Sequence, residues 1–443
     1  MSGKKSFVII GGGASGVLLA AQLLKSADPD LRIVLVERSG VFGRGLAYST
    51  TLDEHLLNVG SQAMSAFPDD PDHFRSWLVG RGIETGSDRL FFAPRRLYGE
   101  YLGDIANHLA ASETDRFDLR HADALSLSPS GSGVAVTLAD GAVLQADATI
   151  LAVGHDTVSA SSFPFALRGQ APANTPLPVD APVLILGTGL SMIDAWLTLK
   201  ARGHGGPVIA LSRRGVLPLS HLPVRPQPLE IIDVPLGASP ARFMQWLRQI
   251  VRENKAAGGD WQNVVDGLRP FNQRIWQAWD IEARQRFLRH AKTWWDVHRH
   301  RAAPQIHAGL TAALESGDLQ LRAGRLENIR QVPDGLEVTL RPRGLLDMQR
   351  FTVARIYDCT GVIRDPQSSL HAVLRTLIDR GMARPDKLGL GLDVRQDCAV
   401  IDASGVASDR IFALGPLTRG TFFEIEAIPD IRVQAARLAE ALI

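Results

Sequence analysis

The first forty residues carry a hydrophobic pattern that predicts a strand, a glycine-rich turn, a helix and a second strand. Phe7 to Ile10 form a short continuous apolar run, typical of a buried parallel strand. The turn occupies 11–16, and the apolar positions of 14–26 favour a helix packed on that strand. A second apolar run starts at Leu31 and ends at Glu37. We therefore predict a βαβ unit here.

Two stretches about 200 residues apart repeat one pattern of antiparallel strands followed by an apolar strand. The first covers 117–154 and ends in ILAVG, and the second covers 319–361 and ends in YDCTG. Arg120 and Arg322 are 202 positions apart, and so are Gly133 and Gly335. Each copy follows its own glycine-rich turn, GGGASG at 11–16 or GTGLSM at 187–192. The repeat predicts an α/β fold with two Rossmann-like dinucleotide-binding domains.

The remaining segments predict how these two domains are arranged along the chain. Residues 239–316 lack strand alternation and hold six of the eight tryptophans, which indicates a helical insertion in the second domain. One more apolar strand, 410–414, and a helix from about Asp430 suggest a return to the first domain. We expect a discontinuous first domain, 1–165 and 352–443, and a second domain, 180–351, with a Ser/Pro/Ala-rich linker near 157–181.

Composition and charge exclude several classes of protein. The 443 residues carry 48 basic and 47 acidic side chains, so the basic excess of a nucleic-acid-binding surface is absent. The uncharged run from Phe7 to Leu24 is interrupted by glycines, which argues against a membrane span or signal peptide. Cys359 and Cys398 form no CxxC pair, so a redox disulfide and a thiolate metal cluster are excluded. We expect a cytoplasmic protein.

The first glycine turn has the context of a dinucleotide-binding motif. Gly11 makes the turn, Gly13 admits a pyrophosphate, and Gly16 lets the helix pack on the strand. The helix begins at Ala14 and Ser15, so its free N–H groups face the phosphates. The acid that would hold a ribose diol follows 21 residues beyond the last glycine. Additional candidates for this site are Glu37, Arg38, Arg44, Asn58, Met64 and Ser65.

With these motifs the chain resembles the two-dinucleotide-binding-domain flavoproteins, and specifically the NAD(P)/FAD-binding family of bacterial proteins related to YdhS. Besides the two glycine turns, the strings FGRGLAY, MSAFPDDPDHF, LSRRG and GPLTRGTFFEIEAIPDIRVQAA carry the resemblance. It implies FAD in the first site and a nicotinamide cofactor in the second. Further residues assigned to FAD on this basis are Ala124, Leu125, Ala152, Gly154, Gly415, Ile428, Asp430 and Ile431.

One position departs from the pattern of these flavoproteins, which usually carry Gly-Asp after the late strand. Here Gly415 is followed by Pro416, so the acid is missing. Backbone groups, or Asp430 at the start of the last helix, are the candidates to replace it. We expect the N-terminus of that helix to face the edge of the flavin where negative charge builds on reduction.

The second glycine turn predicts a phosphorylated nicotinamide nucleotide. Its candidate residues are Gly187, Gly189, Leu190, Ser191, Ser212, Arg213 and Arg214. The strand after the turn ends in LSRRG, where an acidic residue would select NAD. A hydroxyl and two guanidinium groups instead favour a 2′-phosphate, so we predict NADPH over NADH. The alternative is that one of the arginines is a solvated turn residue.

Candidate side chains for catalysis are few. His221, Asn58 and Arg299 are the residues we select. His298 and His300 raise the possibility of a metal site, but residues two apart do not share a helical face. We therefore predict no metal; these cations fit a helix C-terminus or an anion-binding site.

The implied cofactors leave three hypotheses for the reaction. The leading one is an NADPH-dependent flavin monooxygenase that uses molecular oxygen on a small molecule, with N-hydroxylation favoured. This preference follows from the missing cysteine pair and from the absence of the FxGxxxHxxxW fingerprint of Baeyer–Villiger enzymes. The second is an NADPH dehydrogenase or reductase of a soluble organic acceptor. The third is a redox-sensing FAD-binding regulatory protein.

Overall fold

The computed structural model describes residues 5–86, 90–155, 161–168, 176–361, 366 and 369–443. The predicted linker at 157–181 lies partly outside these residues. Among the described residues, no helix combines the length and the apolar character that are needed to cross a bilayer. Two large sheets, one smaller sheet and a cluster of helices make up the described part of the chain.

The first unit contains the predicted βαβ start. Strand β1 pairs in parallel with β2, with Ser6 opposite Arg32. Its elements are β1 (Ser6–Ile10), α1 (Ala14–Leu23), β2 (Arg32–Glu37), α2 (His73–Gly80), α3 (Arg95–Ser112), β3 (Phe117–His121), β4 (Ala124–Ser130), β5 (Gly133–Leu138), β6 (Val143–Ala146) and β7 (Ala148–Leu151). Strands β4, β5 and β6 form the small antiparallel sheet, and β7 returns beside β1.

The second unit repeats this arrangement around a second sheet. Its elements before the insertion are β8 (Ala166–Arg168), β9 (Val183–Leu186), α4 (Leu190–Ala201) and β10 (Val208–Ser212). After the insertion follow α10 (Pro304–Ser316), β11 (Leu319–Val332), β12 (Gly335–Pro342), β13 (Gln349–Val353) and β14 (Arg355–Asp358). The first part of β11 pairs in parallel with β10, and the rest pairs antiparallel with β12. The predicted repeat is thereby confirmed.

The strand β14 corrects the domain boundary that we placed at 351/352. It pairs in parallel with β9 and with β8, so the second sheet extends to Asp358 and starts as early as Ala166. The sequence pattern is misleading here because β14 directly follows the hairpin strand β13, and a buried apolar strand looks the same in either sheet.

The chain then returns to the first sheet, as predicted. Its last elements are α11 (Ala372–Asp379), β15 (Ala399–Ile401), β16 (Ala407–Ala413) and α12 (Ile428–Leu442). Strand β16 pairs in parallel with β7, which gives the first sheet the order β15-β16-β7-β1-β2-β3. Helix α12 packs against α1, and residues from both helices belong to one buried apolar core.

The insertion is helical, as its sequence predicts. Its helices are α5 (Pro240–Ala256), α6 (Trp261–Gly267), α7 (Asn272–Gln277), α8 (Ile281–His290) and α9 (Lys292–Arg299). Helix α10 differs, because its Leu310 and Ala313 are buried in the core of the second unit and it leads into β11. Trp276, Trp279 and Trp295 form the insertion's own core.

Polar contacts join the two units at several places. The carboxylate of Asp194 in α4 pairs with Arg95, the first residue of α3. The Nε2–H of His55 donates to the main-chain oxygen of Asp194 at 3.1 Å. On the other side, the Trp276 Nε1–H of the insertion donates to the carbonyl oxygen of Gly420 at 2.8 Å. The insertion therefore lies on the segment that precedes α12 as well as on its own unit.

Candidate functional site

The first glycine turn has a backbone geometry that side chains would block. Gly11 has φ of 108°, and a Cβ there would lie 2.5 Å from the carbonyl oxygen of Ala152. A Cβ on Gly16 would lie 2.0 Å from the carbonyl oxygen of Gly11. Gly415 lies close to Ser15, since a Cβ on Gly415 would lie 2.4 Å from the Ser15 hydroxyl oxygen. The end of β16 therefore closes the cradle at the start of α1, where the sequence places the diphosphate.

Glu37 holds the glycine turn in place. Its Oε2 accepts the Gly12 N–H at 2.8 Å, and its Oε1 accepts the N–H and hydroxyl of Ser39 at 2.9 and 2.8 Å. A carboxylate has about four lone-pair positions, so one acceptor position remains for a ribose hydroxyl. Arg38 beside it is exposed, whereas Arg44 is half-buried.

The other predicted FAD residues divide into cleft-lining and supporting positions. Asn58, Met64 and Ile428 line a cleft of about 740 Å³. Ser65 does not face it, because its buried hydroxyl bonds the carbonyl oxygens of Phe67 and Asp70. Buried supporting positions also include Ala124, Ala152 and Ile431, while Leu125 is exposed and Gly154 and Asp430 are half-buried.

Asp430, the candidate to replace the missing acid after β16, has another partner. Its Oδ2 accepts a hydrogen bond from Arg269 of the insertion at 2.9 Å. The Gly415 N–H, by contrast, donates to Gln434 Oε1 of α12 at 2.9 Å. The carboxylate of Asp430 thus fastens the insertion to α12, and backbone groups remain the candidates for contact with a diphosphate.

The second glycine turn repeats the geometry of the first. Gly187 has φ of 104°, and a Cβ there would lie 2.3 Å from the carbonyl oxygen of Cys359. Met192, at the place of the third glycine, is fully buried in the core below α4. The Thr188 hydroxyl donates a hydrogen bond to the carbonyl oxygen of Val216 at 2.6 Å. The same Thr188 oxygen lies 2.9 Å from the hydroxyl oxygen of Ser212. All seven residues predicted for the nicotinamide nucleotide line the cleft: Gly187, Gly189, Leu190, Ser191, Ser212, Arg213 and Arg214.

The cleft brings both glycine-turn units and the insertion together. One wall carries Asn58, Met64 and Ile428 of the first unit, and the opposite wall carries the second glycine turn. Residues of the insertion, among them Lys292 and Thr293, complete it. The second glycine turn lines this cleft, whereas residues 11–16 of the first glycine turn are not among its lining residues.

Two glutamates before α12 line the same cleft and were missed by the sequence analysis. Glu424 has φ of 64°, is buried, and accepts hydrogen bonds from Asn272 Nδ2 at 2.6 Å, from Trp295 Nε1 at 2.5 Å and from Arg299 Nε at 3.2 Å. Burial is the largest single effect and works to raise the pKa of Glu424, but the charge of Arg299, with the further interactions around the carboxylate, together outweighs it, so the pKa is lowered. The only sequence signal was the resemblance carried by the string FFEIEAIP.

Glu426 and Arg419 form an ion pair in the cleft, whose lining also includes His155. Arg419 Nη1 donates to the carboxylate of Glu426. Desolvation works to raise the pKa of Glu426, but several opposing interactions, the charge of Arg419 first, together lower it to about 2, although 37% of the side chain is exposed. Burial lowers the pKa of His155, so its ring is neutral at pH 7. The cleft thus holds an ionised carboxylate beside a neutral imidazole.

Two of the three catalytic candidates, His221 and Arg299, make contacts that hold parts of the structure together. The Nε2–H of His221 donates to the main-chain oxygen of Asn58 at 2.9 Å, which fastens the second unit to the loop of the first. Desolvation by burial lowers the pKa of His221 to about 4. The Arg299 guanidinium is buried against Glu424. Of the three, Asn58 alone lines the cleft.

The prediction that the insertion holds no metal stays a prediction. His298 Nδ1 lies 2.7 Å from the main-chain oxygen of Trp294 in its own helix. Within the described part of the chain, three or more His, Cys, Asp or Glu side chains do not come together in a metal-binding group.

Comparison with known proteins supports this reading of the fold. Residues 8–156 match the model of a family described as FAD-NAD(P)-binding. No curated protein is significantly similar in sequence. Ornithine N-hydroxylase from Kutzneria sp. 744, solved with reduced FAD, NADP⁺ and L-ornithine, is 15% identical over 98% of each chain, with a TM-score of 0.65.

Two further structures give the range of the similarity. L-lysine 6-monooxygenase from Pseudomonas syringae is 18% identical over 98% of each chain, with a TM-score of 0.63. Bacillithiol disulfide reductase from Staphylococcus aureus is 13% identical over 99% of this chain and 98% of its own, with a TM-score of 0.55. The chain therefore has the fold of the two-dinucleotide-binding-domain flavoproteins, and its residues 8–156 match the FAD-NAD(P)-binding family.

Proposed function

We propose that the protein is an NADPH-dependent FAD monooxygenase that oxygenates a small molecule, with an amine nitrogen as the favoured target. The observation that carries the proposal is the cleft, whose walls come from both glycine-turn units at once. A nicotinamide ring bound to one wall would lie against a flavin bound to the other. Bound FAD would supply the two-electron and oxygen chemistry that amino-acid side chains lack.

The residues of the first unit fit FAD. The positive φ of Gly11 and the lack of a side chain at Gly13, which faces the backbone of Gly45, leave room for a diphosphate at the start of α1. Gly12 and Ser39 hold the Glu37 carboxylate at the edge of this turn, where a ribose would lie. These features would bind and orient the cofactor.

The cysteines support an oxygenase over a disulfide reductase. Cys359 and Cys398 are both buried and unpaired, and desolvation by burial raises the pKa of each to about 12. A thiol with this pKa is protonated and a poor nucleophile at neutral pH. Unpaired thiols also support a cytoplasmic location.

His155 and Glu426 support an amine substrate. An ammonium nitrogen has no lone pair for oxygenation, so the substrate must lose a proton in the site. The neutral imidazole of His155 lines the cleft and can accept that proton. The ionised Glu426 beside it stabilises the imidazolium that results.

The test is product analysis with NADPH, oxygen and a panel of primary amines and amino acids. We expect the purified protein to carry FAD, to oxidise NADPH and to add one oxygen atom to a nitrogen of one substrate class. NADPH oxidation that passes electrons to a quinone, with no oxygenated product, would instead establish a reductase. Failure of NADPH to reduce the flavin would favour a regulatory role. The variant His155→Gln should lower the rate most near neutral pH, where the wild-type imidazole is neutral and the substrate ammonium is protonated, and the difference should shrink at alkaline pH, where the amine is already free.

A further inference from the structure

The end of β10 and the start of α9 form one charged corner of the cleft. Ser212, Arg213 and Arg214 end the strand, and Lys292 and Thr293 begin the helix of the insertion. All five line the cleft that also holds the second glycine turn. The two segments are in direct contact, since Arg214 Nη1 donates to Thr293 Oγ1 at 2.5 Å.

The Arg214 side chain holds the insertion against the end of β10. Besides Thr293, its guanidinium bonds the main-chain oxygen of His290 at 3.2 Å and lies 5.8 Å from the ring centre of Trp294. These contacts fasten the insertion to the strand end. Turning Arg214 towards a ligand would break them, so it is the weaker of the two arginines as a phosphate ligand.

Arg213 and Lys292, unlike Arg214, can contact a ligand without breaking the contacts that hold the insertion against the end of β10. Arg213 is exposed, and its side chain takes part in no hydrogen bond or ion pair with the residues that the structure describes. The Lys292 ammonium pairs with Asp296 Oδ2 at 2.5 Å within its own helix, with 27% of its side chain exposed. An ammonium has three N–H donors, so two remain for a ligand.

A 2′-phosphate needs more charge than one arginine supplies. A phosphate monoester carries roughly −1.5 to −2 at neutral pH. We propose that Lys292, on the helical insertion, is the second cation of the 2′-phosphate site together with Arg213, and that Arg214 only positions the insertion. The inference rests on the proposed use of NADPH, and it makes the insertion a determinant of nucleotide selectivity.

The test measures affinity for 2′,5′-ADP and 5′-AMP, which differ only in the 2′-phosphate, by titration calorimetry on the FAD-loaded protein. We expect wild type to prefer 2′,5′-ADP. Lys292→Ala should weaken the affinity for 2′,5′-ADP by about tenfold, as expected for the loss of one partly exposed charge-assisted hydrogen bond. The affinity for 5′-AMP should stay within about twofold of the wild-type value. Lys292→Arg keeps the charge and should keep most of the preference.

The matched control is Lys200→Ala. Lys200 is also a paired lysine, 3.7 Å from Asp318 and 32% exposed, but it lies at the far end of α4 from the glycine turn. Lys200→Ala should change neither the affinity for 2′,5′-ADP nor the affinity for 5′-AMP. Arg213→Ala should lose the preference as Lys292→Ala does.

Two results would overturn the inference. If Lys292→Ala keeps the full preference for 2′,5′-ADP while Arg213→Ala loses it, the 2′-phosphate lies away from the insertion. If wild type binds both nucleotides equally, the corner is not a 2′-phosphate site. Stopped-flow reduction of the flavin by NADPH and by NADH tests the proposed function separately, because a hydride donor can be accepted without selectivity for the 2′-phosphate.

Discussion

The network around Glu424 makes a quantitative prediction about how the insertion is held. Glu424→Gln keeps the volume of the side chain but removes its charge and one acceptor oxygen. The side chains of Glu424 and Arg299 are 5% and 9% exposed, so neither partner can be hydrated without local opening. Breaking a buried ion pair by neutralising one partner costs about 3–5 kcal/mol. We expect the glutamine variant to lose stability of this size.

The matched control is an exposed pair of the same residue types. Arg330 and Glu337 pair at 3.0 Å across β11 and β12, with 64% of the arginine side chain exposed. Glu337→Gln should therefore cost less than about 1 kcal/mol. Both substitutions remove one carboxylate charge, so the comparison isolates the effect of burial.

The assay is urea unfolding followed by tryptophan fluorescence. Six of the eight tryptophans lie in the predicted insertion range 239–316, so the signal reports on this part of the protein. We expect the unfolding transition of Glu424→Gln to occur at a lower urea concentration than that of wild type. The double variant with Arg299→Met should regain much of the lost stability, because no unpaired buried charge remains. A Glu424→Gln transition within about 1 kcal/mol of wild type refutes the reasoning.

Acid should abolish the difference between Glu424→Gln and wild type. The folded-state pKa of Glu424 is lowered, because the charge of Arg299 and the other interactions of the carboxylate together outweigh the opposing effect of burial. The ionised carboxylate therefore adds stability above the ordinary glutamate pKa, and this contribution is lost as pH falls through the lower, folded-state pKa. The two proteins should converge in strong acid and differ fully at pH 7.

Three other results are expected. Gly11→Ala should abolish FAD binding or folding, since its Cβ would meet a backbone carbonyl at 2.5 Å; flavin absorbance of the purified variant checks this. His221→Ala should lower turnover by loosening Asn58, and since the pKa of His221 is about 4, the wild-type rate profile should show no step from this residue between pH 5 and 8. Cys359 and Cys398 should react with a thiol reagent only after unfolding, because both are buried with pKa values of about 12; fast labelling of the native protein contradicts this.

The backbone of the two nucleotide sites could be predicted from sequence because its cause is local. Gly11 and Gly187 adopt a positive φ where a carbonyl of the neighbouring strand leaves no room for a side chain. Such a requirement leaves a glycine at a fixed distance from an apolar run, and that spacing is visible in the sequence. The repeat offset then predicted the paired hairpins of β4–β5 and β11–β12.

The partners of polar side chains could not be predicted, because they lie far apart along the chain. Glu424 and Arg299 are separated by 125 positions, and His221 and Asn58 by 163. Nothing in the local pattern distinguishes Arg214, which bonds the insertion, from its neighbour Arg213, which faces solvent. Which side chains act and which only support is decided by tertiary packing.

The position of the insertion across both units restricts how the protein can move. Swinging the second unit away from the first would have to break the hydrogen bonds of Trp276 to Gly420 and of Glu424 to α7 and α9. It would also have to break the contacts of Asp194 with Arg95 and His55. These contacts among the described residues oppose a hinge motion between the two units. For the proposed function, we therefore expect a bound nucleotide to exchange through the mouth of the cleft while the two units stay in contact.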